Sequence, residues 1–142
     1  MRRRALPLLL AMIASAPAGG QPWNEPPLPV VQGIAPLPST GWRLAFPAGM
    51  ADPNAAQIEG LRRIGARLQE RTAGRVTLFG EAADTGDLSD TRRLSLARAR
   101  AAAAALVAGG LDERRVDIRP MGAGGDWVDI LPPGATRPAP GR

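Results

Sequence analysis

The chain has 142 residues and a formal net charge of +5, and it contains neither cysteine nor histidine. That length suits one domain with extensions. The missing residue types exclude disulfides, thiolate nucleophiles, histidine bases and Cys/His metal centres, and they also exclude lipid attachment at an N-terminal cysteine.

The N-terminus reads as a secretory signal over residues 1–18. Arg2, Arg3 and Arg4 form a basic start, and Ala5 to Ala14 is apolar. Ala14-Ser15-Ala16 and Ala16-Pro17-Ala18 both have the small-x-small form of a cleavage site. Cleavage after Ala16 would leave Pro17 first, so cleavage after Ala18 is expected. The apolar run is shorter than the roughly 20 residues that cross a bilayer. The mature chain is therefore expected to lack a transmembrane span; the alternative is an uncleaved, weak anchor. All basic residues are arginine, but three of the surplus charges lie in this segment. With few aromatic rings to stack on bases, no nucleic-acid partner is expected.

Residues 19–41 are rich in Pro and Gly and read as a semi-rigid linker, or simply as an unstructured start. Trp42 to Phe46 alternates as a half-buried strand does. Asp52-Pro53 predicts the start of a helix, with Asp52 as cap and Pro53 at its first position. Ile58, Leu61, Ile64 and Leu68 form its apolar stripe, and Gly74 closes it. Arg75 to Phe79 is a second strand. A second helix is expected from about Asp90 to Ala108, burying Leu94, Ala97, Ala101, Ala104 and Ala108. Gly109-Gly110 ends it, with Leu111 folding back as the apolar residue of the cap. Arg115 to Arg119 is a third strand and Trp127 to Leu131 a fourth. Pro132-Pro133 stops that strand, and the tail 132–142 is expected to be disordered. Gly122 to Gly125 reads as a tight connection, and Trp127 as a core residue or else an exposed stacking one.

This order predicts an α+β two-layer sandwich, β-α-β-α-β-β, with a mixed sheet and two helices on one face. The most informative stretch is Phe79 to Ala101, a strand end, a loop with Gly86 and a helix start. Helix starts offer unpaired N–H groups to anions, and arginine binds carboxylates with charge-assisted bonds. Arg98, about two turns into the helix, can reach back along the turn before it.

Gly80, Gly86, Leu94, Ser95, Arg98 and Ala99 stand in the order and spacing of a known motif, roughly G-H-T-D, then G, then N-x-x-L-S-x-x-R-A. On these residues Trp42 to Leu131 resembles the OmpA-like domain, the module that also occurs in peptidoglycan-associated lipoproteins and flagellar stator proteins. The resemblance implies a non-catalytic periplasmic module, at the outer membrane or cell wall. It implies a peptidoglycan partner, no cofactor and no metal. In the family an arginine meets a carboxylate of the diaminopimelate in the stem peptide, and an aspartate meets its amine. Arg98 carries over as the arginine. Ala83 occupies the aspartate's place, with Asp84 one residue later, Glu81 at the histidine position, Ala82 at the threonine and Thr91 at the asparagine. The family's N-R-R-V-E segment is also replaced, by Asp126-Trp127-Val128-Asp129.

The candidate ligand-binding residues are thus Arg98, Asp84, Thr91 and Thr85. Asp84 either replaces the missing carboxylate or serves as a turn residue, as Asp87 and Asp90 serve for turn and cap. Arg98 either binds ligand, is solvated like its neighbours, or pairs with Asp84 to pin the loop. A degenerate domain that binds envelope proteins and no cell wall is the alternative function. An enzyme is not expected, because Ser95 has no activating base.

Overall fold

The structure is a computed structural model that describes residues 31–38 and 40–137. The signal segment, the first part of the linker stretch and the last five residues lie outside the described residues.

Five strands and two helices form a two-layer α+β sandwich. In chain order they are β1 (Ile34–Pro36), β2 (Trp42–Ala45), α1 (Ala55–Arg71), β3 (Val76–Ala82), α2 (Leu88–Ala108), β4 (Val116–Ala123) and β5 (Trp127–Leu131). The sheet order is β1-β2-β5-β3-β4. β3 and β4 pair in parallel, as a right-handed strand–helix–strand unit requires. β5 inserts between β2 and β3, antiparallel to both. The short link from β4 to β5 must therefore cross the end of β3, where Gly124 N donates to the carbonyl of Ala82 at 2.9 Å.

β1 lies inside the stretch read as linker and pairs antiparallel with β2, from Ile34 opposite Leu44 to Pro36 opposite Trp42. Ile34 is buried, so the folded unit begins before Trp42. Proline at the end of a short edge strand withholds no bond that the sheet needs.

α1 begins at Ala55, later than Asp52-Pro53 suggests, because Asn54 and Gln57 form a reciprocal capping box. The Asn54 side chain accepts from Gln57 N at 2.8 Å, and the Gln57 side chain accepts from Asn54 N at 2.9 Å. Gln57 is buried and also donates to the carbonyl of Ala45 at 2.8 Å, tying the helix start to the end of β2. Leu61, Ile64 and Leu68 enter the core, but Ile58 stays exposed. The helix ends at Arg71, before Gly74, and Arg115 closes it by donating to Leu68 O, Gly74 O and Thr72 Oγ1.

α2 ends in a Schellman cap: Gly110 N donates to Val107 O at 3.0 Å and Leu111 N to Leu106 O at 3.2 Å, with Leu111 buried. Its start differs from expectation. Asp87 is the cap and accepts from Asp90 N at 3.0 Å, so the helix starts two residues earlier. Its buried face is Thr91, Ser95, Arg98, Ala99, Ala102, Ala103, Ala105 and Leu106. Ala97, Ala104 and Ala108, expected inside, are exposed. The buried stripe starts with three polar residues, so an apolar stripe sought among alanines fell on a neighbouring face. The helix lies hard against the sheet: a Cβ at Gly80 would collide with the carbonyl of Ser95 and crowd the Ala99 methyl.

The core between sheet and helices holds Trp42, Leu44, Leu61, Leu68, Leu78, Leu106, Val128 and Ile130. Trp127 is not part of it. It is half-buried on the other sheet face, with the Arg43 guanidinium 4.0 Å from its ring centre. Arg43 also forks onto Asp129, at 2.7 and 3.0 Å, which raises the arginine's pKa above its ordinary value. The start of the tail is ordered: Pro132 is buried, and Arg137 lies over the Phe79 ring at 4.7 Å and pairs with Glu81.

Candidate functional site

β3 runs out at Ala82, and the loop that follows carries the candidate residues. Asp84 accepts from Gly86 N at 2.9 Å in an Asx turn and is exposed. Gly86 has φ +87°, which allows this turn. Thr85 Oγ1 and Thr91 Oγ1 bond each other at 2.9 Å, and Thr91 Oγ1 also donates to Asp87 O at 2.8 Å. Thr91 is buried beneath the loop. These residues knit the loop to the first turn of α2, but Asp84 makes no bond to Arg98.

Arg98 is fully buried. Its place on α2, above Gly80, aims the long side chain back toward the helix start. Four bonds hold the guanidinium. Nε donates to Met50 O at 2.7 Å and Nη2 to Pro47 O at 3.0 Å. Nη1 donates to Glu81 O at 3.1 Å and to Asp126 Oδ1 at 2.8 Å. The Phe46 ring lies 5.0 Å from its carbon. Among the described residues one of the five N–H donors, on Nη2, has no partner.

The buried charge is therefore answered by Asp126, and the pairing with Asp84 is not formed. Asp126 comes from the Gly124-Gly125 crossing at the start of β5. Its Oδ1 also accepts from Ala83 N at 3.1 Å. Ala83, directly after β3, thus donates through its backbone N–H to a carboxylate from the β4–β5 link. The Arg98 bond, and then the Ala83 N–H, hold the Asp126 carboxyl below the usual carboxylate range. The Asp126 side chain is 29% exposed, whereas that of Arg98 is 0%. The pair thus has one side open to solvent.

Sequence reasoning missed all four acceptors: Asp126 and the carbonyls of Pro47, Met50 and Glu81. Carbonyl contacts leave no trace in residue type. Asp126 had one signal, an acid directly after two glycines at a strand start, but its meaning depends on β5 lying beside β3.

Glu81 faces away from α2. Its Oε2 accepts from Gly125 N at 3.2 Å and its Oε1 pairs with Arg137. Gly124 leaves room for it, since a Cβ there would strike the Glu81 carboxylate. Ser95 Oγ donates to Arg92 O and accepts from Gly122 N, so it is spent on structure. Among the described residues no group of three acids could hold a metal, and no helix is long and apolar enough to cross a membrane.

No protein-family model matches the sequence, and no curated protein matches it. The fold does have counterparts among solved structures. The peptidoglycan-associated lipoprotein of Burkholderia pseudomallei superposes with a TM-score of 0.58 at 14% identity, over 63% of this chain and 87% of that one. The OmpA-like domain of FopA1 from Francisella tularensis gives 0.52 at 17% identity, over 73% and 82%. The periplasmic domain of Helicobacter pylori MotB gives 0.51 at 18% identity, over 68% and 82%. The chain has the OmpA-like fold, as the motif ending in Arg98-Ala99 implied.

Proposed function

We propose that this chain is a non-catalytic envelope module, exported to the periplasm, that holds the diaminopimelate stem peptide of peptidoglycan. The observation that carries this reading is the pairing of Arg98 with Asp126 at 2.8 Å, on the spot where the family's aspartate is missing from the chain. An arginine and an aspartate at the start of α2 are the two charges that the resemblance requires. Asp126 supplies the second charge, and the half-exposed side of its carboxylate meets the ligand amine. The ligand carboxylate reaches Arg98 by displacing the carbonyls of Pro47 and Met50, while Asp84, Thr85 and Thr91 bound its approach. The four-residue turn that carries those carbonyls suits displacement, since Pro47 to Met50 are all exposed.

A second reading has its own observation. Four of Arg98's five donors are already satisfied and its side chain is fully buried, which suits a domain kept for structure or for envelope-protein contacts. Retention on purified diaminopimelate-containing peptidoglycan at physiological salt separates the two. The first reading expects the full chain to be retained, and Asp126→Asn and Arg98→Gln, folded by circular dichroism, to be lost. No retention of the wild type favours the second reading. Equal retention of all three overturns the site.

A further inference from the structure

The sheet face turned away from the helices carries a groove of about 360 Å³ that the site around Arg98 does not use. Three arginines line it, Arg75, Arg119 and Arg137, and no carboxylate does. Strand geometry brings them together. Arg75, directly before β3, and Thr77 and Phe79 within it alternate onto one face, and Phe79 stands opposite Arg119 of β4. Leu131, opposite Thr77, continues the floor into the tail, and residues 132–135 form the wall. The tail turns there, with Ala135 N donating to Pro132 O at 3.1 Å, and returns Arg137 to the groove.

The acids on this face are already committed. Asp129 is taken by Arg43, Asp117 by Arg119, and Glu81 by Arg137. Each of those arginines balances one acid, so Arg75 is the surplus charge. Among the described residues its guanidinium has no partner. Among the described residues Arg119 gives only Nε to Asp117, at 3.0 Å, and both its terminal nitrogens are without a partner. Thr77 Oγ1, with no bond among the described residues, adds a hydroxyl. Arg137 is fixed by its stack on Phe79 and its ion pair, so one guanidinium is already ordered.

We propose that this groove binds a phosphate-bearing ligand, its phosphate among Arg75, Arg119 and Thr77 and its apolar part on Phe79, Leu131 and Pro132. Planar guanidinium groups match phosphate oxygens in pairs, which favours phosphate over a lone halide or a neutral sugar. Pockets of this size hold small organic ligands, and a few convergent polar groups over an apolar floor are their usual make-up.

Isothermal titration of the full chain with inorganic pyrophosphate tests the proposal. The expected result is saturable binding, weakened by salt and reduced about tenfold or more in Arg75→Gln and further in Arg75→Gln/Arg119→Gln. Arg98→Gln leaves it unchanged, which keeps this test separate from the peptidoglycan reading. Arg75 is exposed and makes no hydrogen bond or ion pair among the described residues, so Arg75→Gln folds as the wild type does. No pyrophosphate binding, or equal binding by wild type and the double variant, overturns the proposal. Co-sedimentation with phosphatidylglycerol vesicles, against phosphatidylcholine vesicles, identifies the source. Sedimentation lost in the double variant assigns a lipid headgroup. Pyrophosphate binding without that sedimentation assigns a soluble phosphate ester.

Discussion

Replacing Asp126 with alanine tests whether the Arg98–Asp126 pair organises this end of the molecule. The substitution leaves the guanidinium buried, with the carbonyls of Pro47, Met50 and Glu81 as its remaining acceptors. Removing one member of a fully buried pair costs about 3–5 kcal/mol, whereas an exposed pair contributes about 0.2–1 kcal/mol. Here one side chain is 0% exposed and the other 29%, and three carbonyls still answer the cation. The expected cost is therefore below the buried range, at about 2 kcal/mol. Urea unfolding at pH 7 reads it directly. With a slope of about 2 kcal/mol/M for a domain this small, the midpoint falls by about 1 M. Arg93→Ala serves as the control. It breaks the exposed pair with Asp90, whose side chains are 79% and 62% exposed, and should cost under about 0.5 kcal/mol. If Asp126→Ala shifts the midpoint no more than Arg93→Ala does, the pair is a surface ornament and the reasoning fails.

Three further outcomes follow from the same contacts. The Asp126 carboxyl is held low chiefly by Arg98, so its folded pKa lies below the unfolded value of about 3.9. A depressed acid stabilises the fold above its unfolded pKa and loses that contribution as pH falls through the folded pKa. The stability gap between wild type and Asp126→Asn should thus be constant from pH 7 to about 5 and shrink below about pH 4, as measured by urea midpoints. Gly80→Ala drives a methyl into the Ser95 carbonyl and should cost at least about 1–3 kcal/mol, a thermal midpoint drop of several degrees or more. Arg115→Ala removes the donors that close α1 at Leu68, Thr72 and Gly74, and should speed amide exchange in the last turn of α1 while costing about 1–2 kcal/mol.

The strands were legible because their signal is local. Trp42 and Leu44, and Val76 and Leu78, alternate inward as period-two patterns require, and all four are buried. The end of α2 was legible for the same reason, since Gly109, Gly110 and Leu111 fall within one cap motif. β1 was hidden because Ile34-Ala35-Pro36 is too short to show alternation, and its single proline looks like linker composition. The cap of α1 was misplaced by two residues because Asp52-Pro53 and Asn54 both satisfy start rules. Only the reach of Gln57 back to Asn54 N decides between them. The buried face of α2 was missed because hydropathy discounts Thr91, Ser95 and Arg98, yet each is satisfied where it lies.

The site shows a different limit. Arg98 could be located from sequence because its position relative to Gly80 and Ser95 is set within one strand–loop–helix unit. Its partner could not, because proximity there depends on sheet order. β5 sits between β2 and β3, so the β4–β5 link must cross the end of β3. Gly124 lets that crossing pass beside Glu81, Gly125 makes room for the Trp127 ring, and Asp126 arrives next to Ala83. The carboxylate beside Arg98 and the Ala83 N–H thus comes from a loop 43 residues further along the chain than Ala83. A partner placed by sheet order leaves no local motif to announce it. An acid on the β3–α2 loop can move with that loop, whereas Asp126 is anchored by a strand paired on both sides. The other wall of the pair is the exposed Pro47–Met50 turn, whose two carbonyls accept from the Arg98 guanidinium and whose ends are joined by Met50 N donating to Pro47 O at 3.1 Å.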